Sequence, residues 1–175
     1  MRGSRSWRGF TLTEMMVVLA IISAVAAIAL PVGRSVLARS RGAACLSNLR
    51  QIGVGLEAYL QDNVNVMPEI AAGRKSRGDD TPVLETVLAG YLPGEEIFHC
   101  PADHTEFERS GSSYIWNSSQ SGRNRLQLEF FGKTGTDRRI PLVIDKEAWH
   151  PGDPGANFLY ADLSASSKVQ FGVTR

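Results

Sequence analysis

Apolar residues are concentrated at the start of this chain. Residues 15–32 contain no charged side chain, and the apolar stretch reaches 23 residues when it is counted from Phe10, with Glu14 as its single charged member. A helix rises about 1.5 Å per residue, so this stretch would be about 34 Å long. That length covers the roughly 30 Å hydrocarbon core of a bilayer. The pattern therefore predicts a membrane-spanning helix over residues 10–32.

A second apolar pattern follows, with the three- and four-residue spacing of an amphipathic helix. Its apolar positions are Val36, Leu37, Cys45, Leu49, Ile52, Leu56, Tyr59 and Leu60. We expect the helix to continue through residues 33–63 and to end near Asp62. Pro31 lacks the backbone donor of a helical residue, which costs about 3 kcal/mol in a helix interior. A kink or local melting is therefore predicted near residues 28–33.

Residues 64–175 are expected to form a small head. A short helix is predicted from Thr81-Pro82 to about Ala89, because proline suits the first helical position, and Gly90 should stop it. Runs of β-branched and aromatic residues between turn residues predict five strands, at 113–117, 126–131, 140–145, 157–161 and 168–173. An antiparallel sheet would cover the apolar face of the long helix. The predicted fold class is α+β.

The second half of the long helix should depend on this packing, because glycines weaken a helix. Three of them interrupt its amphipathic pattern: Gly42, Gly53 and Gly55.

Charge is nearly balanced over the whole chain. The 175 residues include 19 Lys and Arg and 18 Asp and Glu, which leaves a formal net charge of +1. Because no general basic field exists, nucleic acid is not a predicted partner. The first nine residues differ, since they carry Arg2, Arg5 and Arg8 and no acid. Residues 1–9 therefore form a basic leader in front of the apolar stretch.

Three interpretations of this N-terminus remain open. A secretory signal peptide would combine the basic leader and the apolar run with cleavage after Ala24-Val25-Ala26 or Ala27-Ile28-Ala29. A plain uncleaved anchor would need only the length and the arginines. The third interpretation is that the segment has a function besides membrane insertion. It rests on Glu14, because a carboxylate near the hydrocarbon edge costs free energy unless a partner or a role offsets that cost.

The stretch from Gly9 to Ile22, G-F-T-L-T-E-M-M-V-V-L-A-I-I, resembles the N-terminal signature of type IV prepilins and of type II secretion pseudopilins. The resemblance implies that a membrane-embedded prepilin peptidase cuts between Gly9 and Phe10 and methylates the new amino group of Phe10. It further implies that Glu14 pairs with the amino terminus of a neighbouring subunit during assembly. Pro31 also lies where pilins usually have a proline that weakens the helix.

The function implied by this resemblance is that of a structural subunit of a type II secretion pseudopilus or a type IV pilus-like filament. Such a subunit is inserted in the bacterial inner membrane in a single pass, with its head outside the cytoplasm. It then enters a periplasmic or surface filament. The expected partners are other pilin-like subunits, the prepilin peptidase, and the assembly ATPase with its platform protein.

A second resemblance concerns the head. Cys45 to Gly53, Cys100 to Asp103, His150 and Ala161-Asp162 resemble a bacterial pseudopilin-like group named for a C-terminal His and Asp-Gly. This chain departs from that pattern, because Leu163 stands where glycine is expected and the spacing from His150 is longer.

The two cysteines allow one internal disulfide. If the head lies outside the cytoplasm, the compartment permits a bond between Cys45 and Cys100, and closing that loop could stabilise the head by roughly 4 kcal/mol. The alternative is that both are small buried core residues.

Candidate chemistry in the head is sparse. No nucleophile elbow is present, so we expect no enzymatic activity and no resident cofactor. Asp145, Asp153 and Asp162 could offer oxygen ligands to calcium, but such residues are more often turn formers. Zinc could use Cys100, Asp103 and His104 with His99 or His150, although two potential ligands in one loop are common by chance.

The competing functional hypothesis is a membrane-anchored or secreted binding domain that the N-terminus only delivers. Carbohydrate is the ligand considered, because Trp116, Trp149 and Tyr160 could form a flat aromatic platform.

Overall fold

The computed structural model describes residues 10–135 and 139–170. The leader, with its cleavage residue Gly9, lies outside the described residues, as do positions 171–173 of the last predicted strand. The chain divides into two compact units, the first up to Leu37 and the second from Ala38 onward.

One long helix, α1, extends from Leu12 to Asp62 and ends where the amphipathic pattern predicts. The helix is unbroken at Pro31, so the local melting predicted there as one alternative is wrong, and the kink predicted as the other stays a prediction. One missing backbone hydrogen bond does not interrupt it, because the adjoining alanine and leucine residues have high helix propensity. Among the described residues, α1 is the helix that is long and apolar enough to cross a membrane.

The second unit packs its core on one face of α1. Cys45, Leu49, Ile52, Leu56 and Leu60 are fully buried there, at spacings of three and four residues that place them on one side of the helix. The compact unit thus begins inside the helix, ahead of the predicted start of the head at residue 64. The amphipathic half belongs to the head's own core.

The sheet that faces this core has four antiparallel strands in the order β1-β4-β5-β6. These are β1 (Tyr114–Trp116), β4 (Pro141–Asp145), β5 (Phe158–Tyr160) and β6 (Ala165–Ser166). Tyr114 pairs with Asp145 and Phe158 pairs with Ser166. A separate hairpin joins β2 (Glu129–Phe130) and β3 (Lys133–Thr134). The predicted α+β fold, a long helix on a small antiparallel sheet, is confirmed.

Several element bounds differ from the predictions. Helix α2 covers Leu84–Val87 and continues as a 3₁₀ turn over Leu88–Gly90, so it starts later than Thr81-Pro82. A further helix, α3 (Glu106–Ser110), was not predicted. The predicted strand 126–131 is reduced to β2 and pairs only with β3.

The final hairpin is tighter than predicted. The Asp162 carboxylate accepts hydrogen bonds from the Ser164 backbone N–H at 3.0 Å and from its hydroxyl at 2.6 Å. This side-chain turn closes the loop early, so β6 begins at Ala165. Residues 168–170, which were expected in the last strand, follow β6 instead.

Candidate functional site

Thr11 and Glu14 close the first turn of α1 between them. The Thr11 backbone N–H and its hydroxyl both donate to Glu14 Oε2 at 2.8 Å. In return the Glu14 backbone N–H donates to Thr11 Oγ1 at 3.3 Å. This reciprocal pattern is a capping box, which satisfies N–H groups that have no partner inside the helix. Its signature, a threonine three residues before a glutamate, is visible in the sequence, although the sequence analysis did not predict the capping box.

The apolar stretch from Phe10 to Val32 exposes its large hydrophobic side chains. Phe10 is 78% exposed and Ile28 is 70% exposed, although both are large hydrophobic side chains. The same holds for other large side chains of this stretch: Leu12, Met16, Val17, Leu19, Ile21, Ile22, Val25, Leu30 and Val32. So large an apolar surface is typical of contact with lipid or with other proteins.

Residues 8–30 match the family model described as the prokaryotic N-terminal methylation motif. The chain carries a prepilin-type methylation motif. Together with the long apolar helix, this motif is consistent with the type IV pilin and pseudopilin family, and it indicates membrane anchoring and a substrate of prepilin peptidase. No solved structure matches the chain.

The methylation motif places Phe10 and Glu14 at the two ends of a short segment. Phe10 precedes the first helical residue and is exposed. Cleavage before Phe10 would leave its α-amino group about one helical turn from Glu14. Among the described residues, the Glu14 hydrogen bonds involve Oε2, so Oε1 stays available to a further donor.

In the head, Cys45 and Cys100 form a disulfide that links α1 to the loop before α3. Both residues are fully buried. His150 lies beside them, with Nε2 at 3.5 Å from Cys100 Sγ and at 3.1 Å from Asp145 Oδ2. The sequence indicated the Cys45–Cys100 pair and offered His150 as one possible zinc partner of Cys100. It could not place Asp145 beside them, because the members come from α1, a loop, the end of β4 and a later loop.

The calcium candidates are not gathered into one site. The Asp145 side chain is buried beside His150, and the Asp162 side chain closes the last hairpin. Asp153 lies in another loop, ahead of a cis peptide bond to Pro154. Within the described part of the chain, the group whose ligand atoms lie within 4.8 Å of one another is Cys45, Cys100 and His150.

Asp103 has a structural task rather than the zinc role considered for it. Its Oδ1 accepts from the backbone N–H groups of Thr105 and Glu106, and its Oδ2 accepts from the Phe107 N–H and the Ser113 hydroxyl. Burial raises the pKa of this carboxyl, but these hydrogen bonds outweigh burial and leave the pKa below its ordinary value. Asp103 therefore holds the start of α3.

The two histidines near Asp103 do not belong to the group formed by Cys45, Cys100 and His150. The His99 ring stacks on Phe107 with centroids 4.5 Å apart, and His104 is exposed. Of the described histidines, His150, the more distant alternative in the sequence, is the one whose ring lies beside the Cys100 sulfur.

The aromatic platform proposed for carbohydrate does not exist. Trp116 is 2% exposed and Tyr160 is fully buried. Trp149 is half-buried and packs against the same core. These side chains serve the interior of the head, as burial favours for large aromatic rings.

A partly buried ionic cluster ties the segment between α1 and α2 to the rest of the head. Arg74 Nε lies 3.2 Å from Glu85 Oε1. Lys146 Nζ donates to Ser110 Oγ at 2.6 Å and lies 3.8 Å from Glu106 Oε2. Burial raises the pKa of Glu85 and lowers the pKa of Lys146, because desolvation disfavours the charged form of each. These opposite charges pair with one another, so the cluster has a structural role within the head.

Leu163 occupies the position where the second resemblance expects glycine. Its backbone φ is 63°, in the left-handed region that favours glycine. The Leu163 N–H donates to Tyr160 O at 2.8 Å and completes the hairpin turn. The turn thus keeps the conformation that glycine would favour although the side chain differs.

Proposed function

We propose that this protein is a structural subunit of a pilin-like filament, either a type II secretion pseudopilus or a type IV pilus-like fibre. The observation that carries the proposal is the methylation motif on an exposed apolar helix. In this role the chain is not an enzyme and needs no cofactor for assembly.

The apolar helix has two successive environments in this proposal. Before processing it lies in the inner membrane, where lipid covers the exposed side chains from Phe10 to Val32. After cleavage it packs against the same helix of neighbouring subunits in the filament. Both environments remove the apolar surface from water, which is favourable by about 25 cal/mol per Å².

Glu14 directs this assembly through its charge. The new α-amino cation of one subunit is costly in an apolar filament interior, and so is the Glu14 carboxylate of another. Pairing them lowers both costs and fixes the axial register of the subunits. The capping box explains how Glu14 is oriented before a neighbour arrives, since Thr11 holds Oε2 and leaves Oε1 open.

Mass spectrometry of the mature protein tests the processing step. We expect a chain that starts at N-methylated Phe10. A chain that starts near residue 27 or 30 would instead support ordinary secretion. An intact Met1 would support the membrane-anchored binding domain.

Substitution of Glu14 tests the assembly step. We expect Glu14→Ala to leave cleavage before Phe10 intact and to reduce incorporation into sheared filaments at least tenfold, measured by immunoblotting against the membrane-bound pool. The reason is that an unpaired α-amino cation would remain in the filament interior.

The matched control is Glu14→Gln, because glutamine can serve in a capping box but carries no charge. If charge pairing is decisive, Glu14→Gln should reduce filament incorporation as much as Glu14→Ala does. Normal incorporation of Glu14→Gln would show that only helix capping matters. Thr11→Val removes the capping hydroxyl and keeps the carboxylate, so it should retain most assembly.

A further inference from the structure

The cluster around the disulfide contains four side chains that are typical metal ligands. One donor atom from each of Cys45, Cys100 and His150 lies within 4.8 Å of the others. The Asp145 carboxylate adjoins the same imidazole, with Oδ2 at 3.1 Å from His150 Nε2. Thiolate, imidazole and carboxylate are the three ligand types found in protein zinc sites.

Two polar atoms in this cluster have unused bonding capacity. Asp145 Oδ1 and His150 Nδ1 are buried and make no hydrogen bond among the described residues. The side chains of Asp145 and His150 are 0% and 7% exposed. A buried carboxylate oxygen without a donor is unfavourable, and a cation bound to the same carboxylate would lower that cost.

Two spacings around His150 Nε2 match those between ligands of a tetrahedral zinc ion. With Zn–S near 2.3 Å and Zn–N and Zn–O near 2.0 Å, adjacent S and N atoms would be about 3.5 Å apart, and adjacent N and O atoms about 3.3 Å apart. The observed distances are 3.5 Å from Cys100 Sγ to His150 Nε2 and 3.1 Å from that nitrogen to Asp145 Oδ2. Two movements remain. The sulfurs must separate, which needs the disulfide to open, and the Asp145 carboxylate must approach them, because it lies outside the group of donor atoms within 4.8 Å of one another.

We propose that the reduced head binds one Zn²⁺ through Cys45, Cys100, His150 and Asp145, so that disulfide and zinc are alternative occupants of the same place. A dithiol supplies two electrons and two protons to the disulfide, gives two cysteine thiols, and leaves as its own disulfide. Zn²⁺ then replaces the two thiol protons, which are released to solvent.

A route to the cluster is present beside His150. A cavity of about 290 Å³ is bordered by Gly42, Ala43 and Leu46 of α1 and by His150 and Asn157. Gly42 borders this cavity beside the imidazole, and a Cβ at that position would lie 3.4 Å from His150 Nδ1.

Zinc would preserve the connection that the disulfide makes. Both arrangements join α1 to the loop before α3 through Cys45 and Cys100. The head would therefore stay folded under reducing conditions when zinc is present, and its stability would depend on metal only in that state.

Cobalt titration of the full chain in detergent micelles tests the proposal. The protein is reduced with tris(2-carboxyethyl)phosphine, because thiol reductants bind the metals themselves, and is then desalted without oxygen. We expect the reduced chain to bind one equivalent of Co²⁺ with a thiolate charge-transfer band, and Zn²⁺ to displace it. The oxidised chain should show no such band.

Three variants distinguish this site from adventitious binding. His150→Gln removes a ligand and should weaken Co²⁺ binding at least tenfold. His104→Gln removes an exposed histidine outside the cluster and should titrate like the wild type. Asp145→Asn should lower the affinity and retain the charge-transfer band, since the two thiolates remain.

Several results would overturn the proposal. One is the absence of a thiolate band in the reduced wild type, and another is equal affinity in His150→Gln. If reduction unfolds the head, Zn²⁺ must restore its native tryptophan fluorescence, and failure to do so also rejects the site.

Discussion

At the residue scale, the end of α1 contains a side chain that does not suit its backbone. The Asn65 N–H donates to Leu60 O at 2.8 Å, which is the bond of a Schellman cap. Val64 holds the left-handed position of that cap with φ at 53° and is 81% exposed. A β-branched residue is strained there, and glycine is the usual occupant.

Val64→Gly should therefore raise the free energy of unfolding by about 1 kcal/mol, since it removes strain and loses almost no packing. Urea denaturation of the detergent-solubilised chain, followed by tryptophan fluorescence, measures the effect. Val54→Gly is the control, because Val54 is an exposed valine inside α1. It should lower stability, and a shift of both variants in the same direction would refute the explanation.

Asp103 is a second residue whose role is local and testable. Asp103→Asn should lower the free energy of unfolding by about 2 kcal/mol at pH 7, because one amide oxygen cannot accept all four hydrogen bonds of the carboxylate. The folded-state pKa is depressed, so this contribution is present above the unfolded pKa of about 3.9 and is lost as pH falls through the folded pKa. The difference between the two proteins should shrink below about pH 4.

Urea denaturation at pH 7 and near pH 3 measures this dependence. Asp80→Asn changes an exposed carboxylate and is the matched control. A difference for Asp103→Asn that stays constant across this range would contradict the assigned role.

At the element scale, the glycines of α1 explain how the sheet approaches the helix. A Cβ at Gly53 would lie 3.1 Å from Leu159 Cδ1 and 3.3 Å from the backbone oxygen of Leu163. A Cβ at Gly55 would lie 2.8 Å from Leu92. The sequence indicates only that glycines weaken this helix, whereas the fold uses them for close packing.

Gly53→Ala should lower the free energy of unfolding by about 1–3 kcal/mol through overpacking. Helix propensity alone predicts the opposite, a gain of about 1 kcal/mol. Ser47→Ala, on the exposed face of α1, is the control and should be neutral or slightly stabilising. The same urea titration decides between packing and propensity, because a stabilised Gly53→Ala would rule out the close approach.

At the scale of the whole molecule, the disulfide is the covalent link between α1 and the remainder of the head. It spans 55 residues of sequence. Closing a loop of that length restricts the unfolded chain, which stabilises the folded state by about 4 kcal/mol on the chain-entropy argument.

The double variant Cys45→Ala, Cys100→Ala should lose about 4 kcal/mol of unfolding free energy in the presence of a chelator. Reduced wild-type protein under the same conditions should lose a similar amount. A loss below about 1 kcal/mol in both would show that the unfolded chain is not restricted as assumed.

The sequence by itself determined the features that depend on neighbouring residues. The apolar helix and its end near Asp62 follow from local composition and spacing. The prepilin-type motif was indicated by resemblance, and the family model matches it at residues 8–30. The α+β class also followed, because strand and helix periodicities are local properties. The ends of the short strands were predicted less accurately, because pairing partners rather than propensity determine where a strand ends.

Only the tertiary structure decided which head residues meet. Cys100 is far in sequence from Asp145 and His150, and the contacts of Asp103 with α3 give it a structural role in place of the ligand role predicted for it. The closing of the last hairpin at Ala165 depended on one side-chain turn at Asp162. Such outcomes depend on long-range packing and hydrogen bonding, whose free energies exist only when the chain is folded, and local sequence patterns do not encode them.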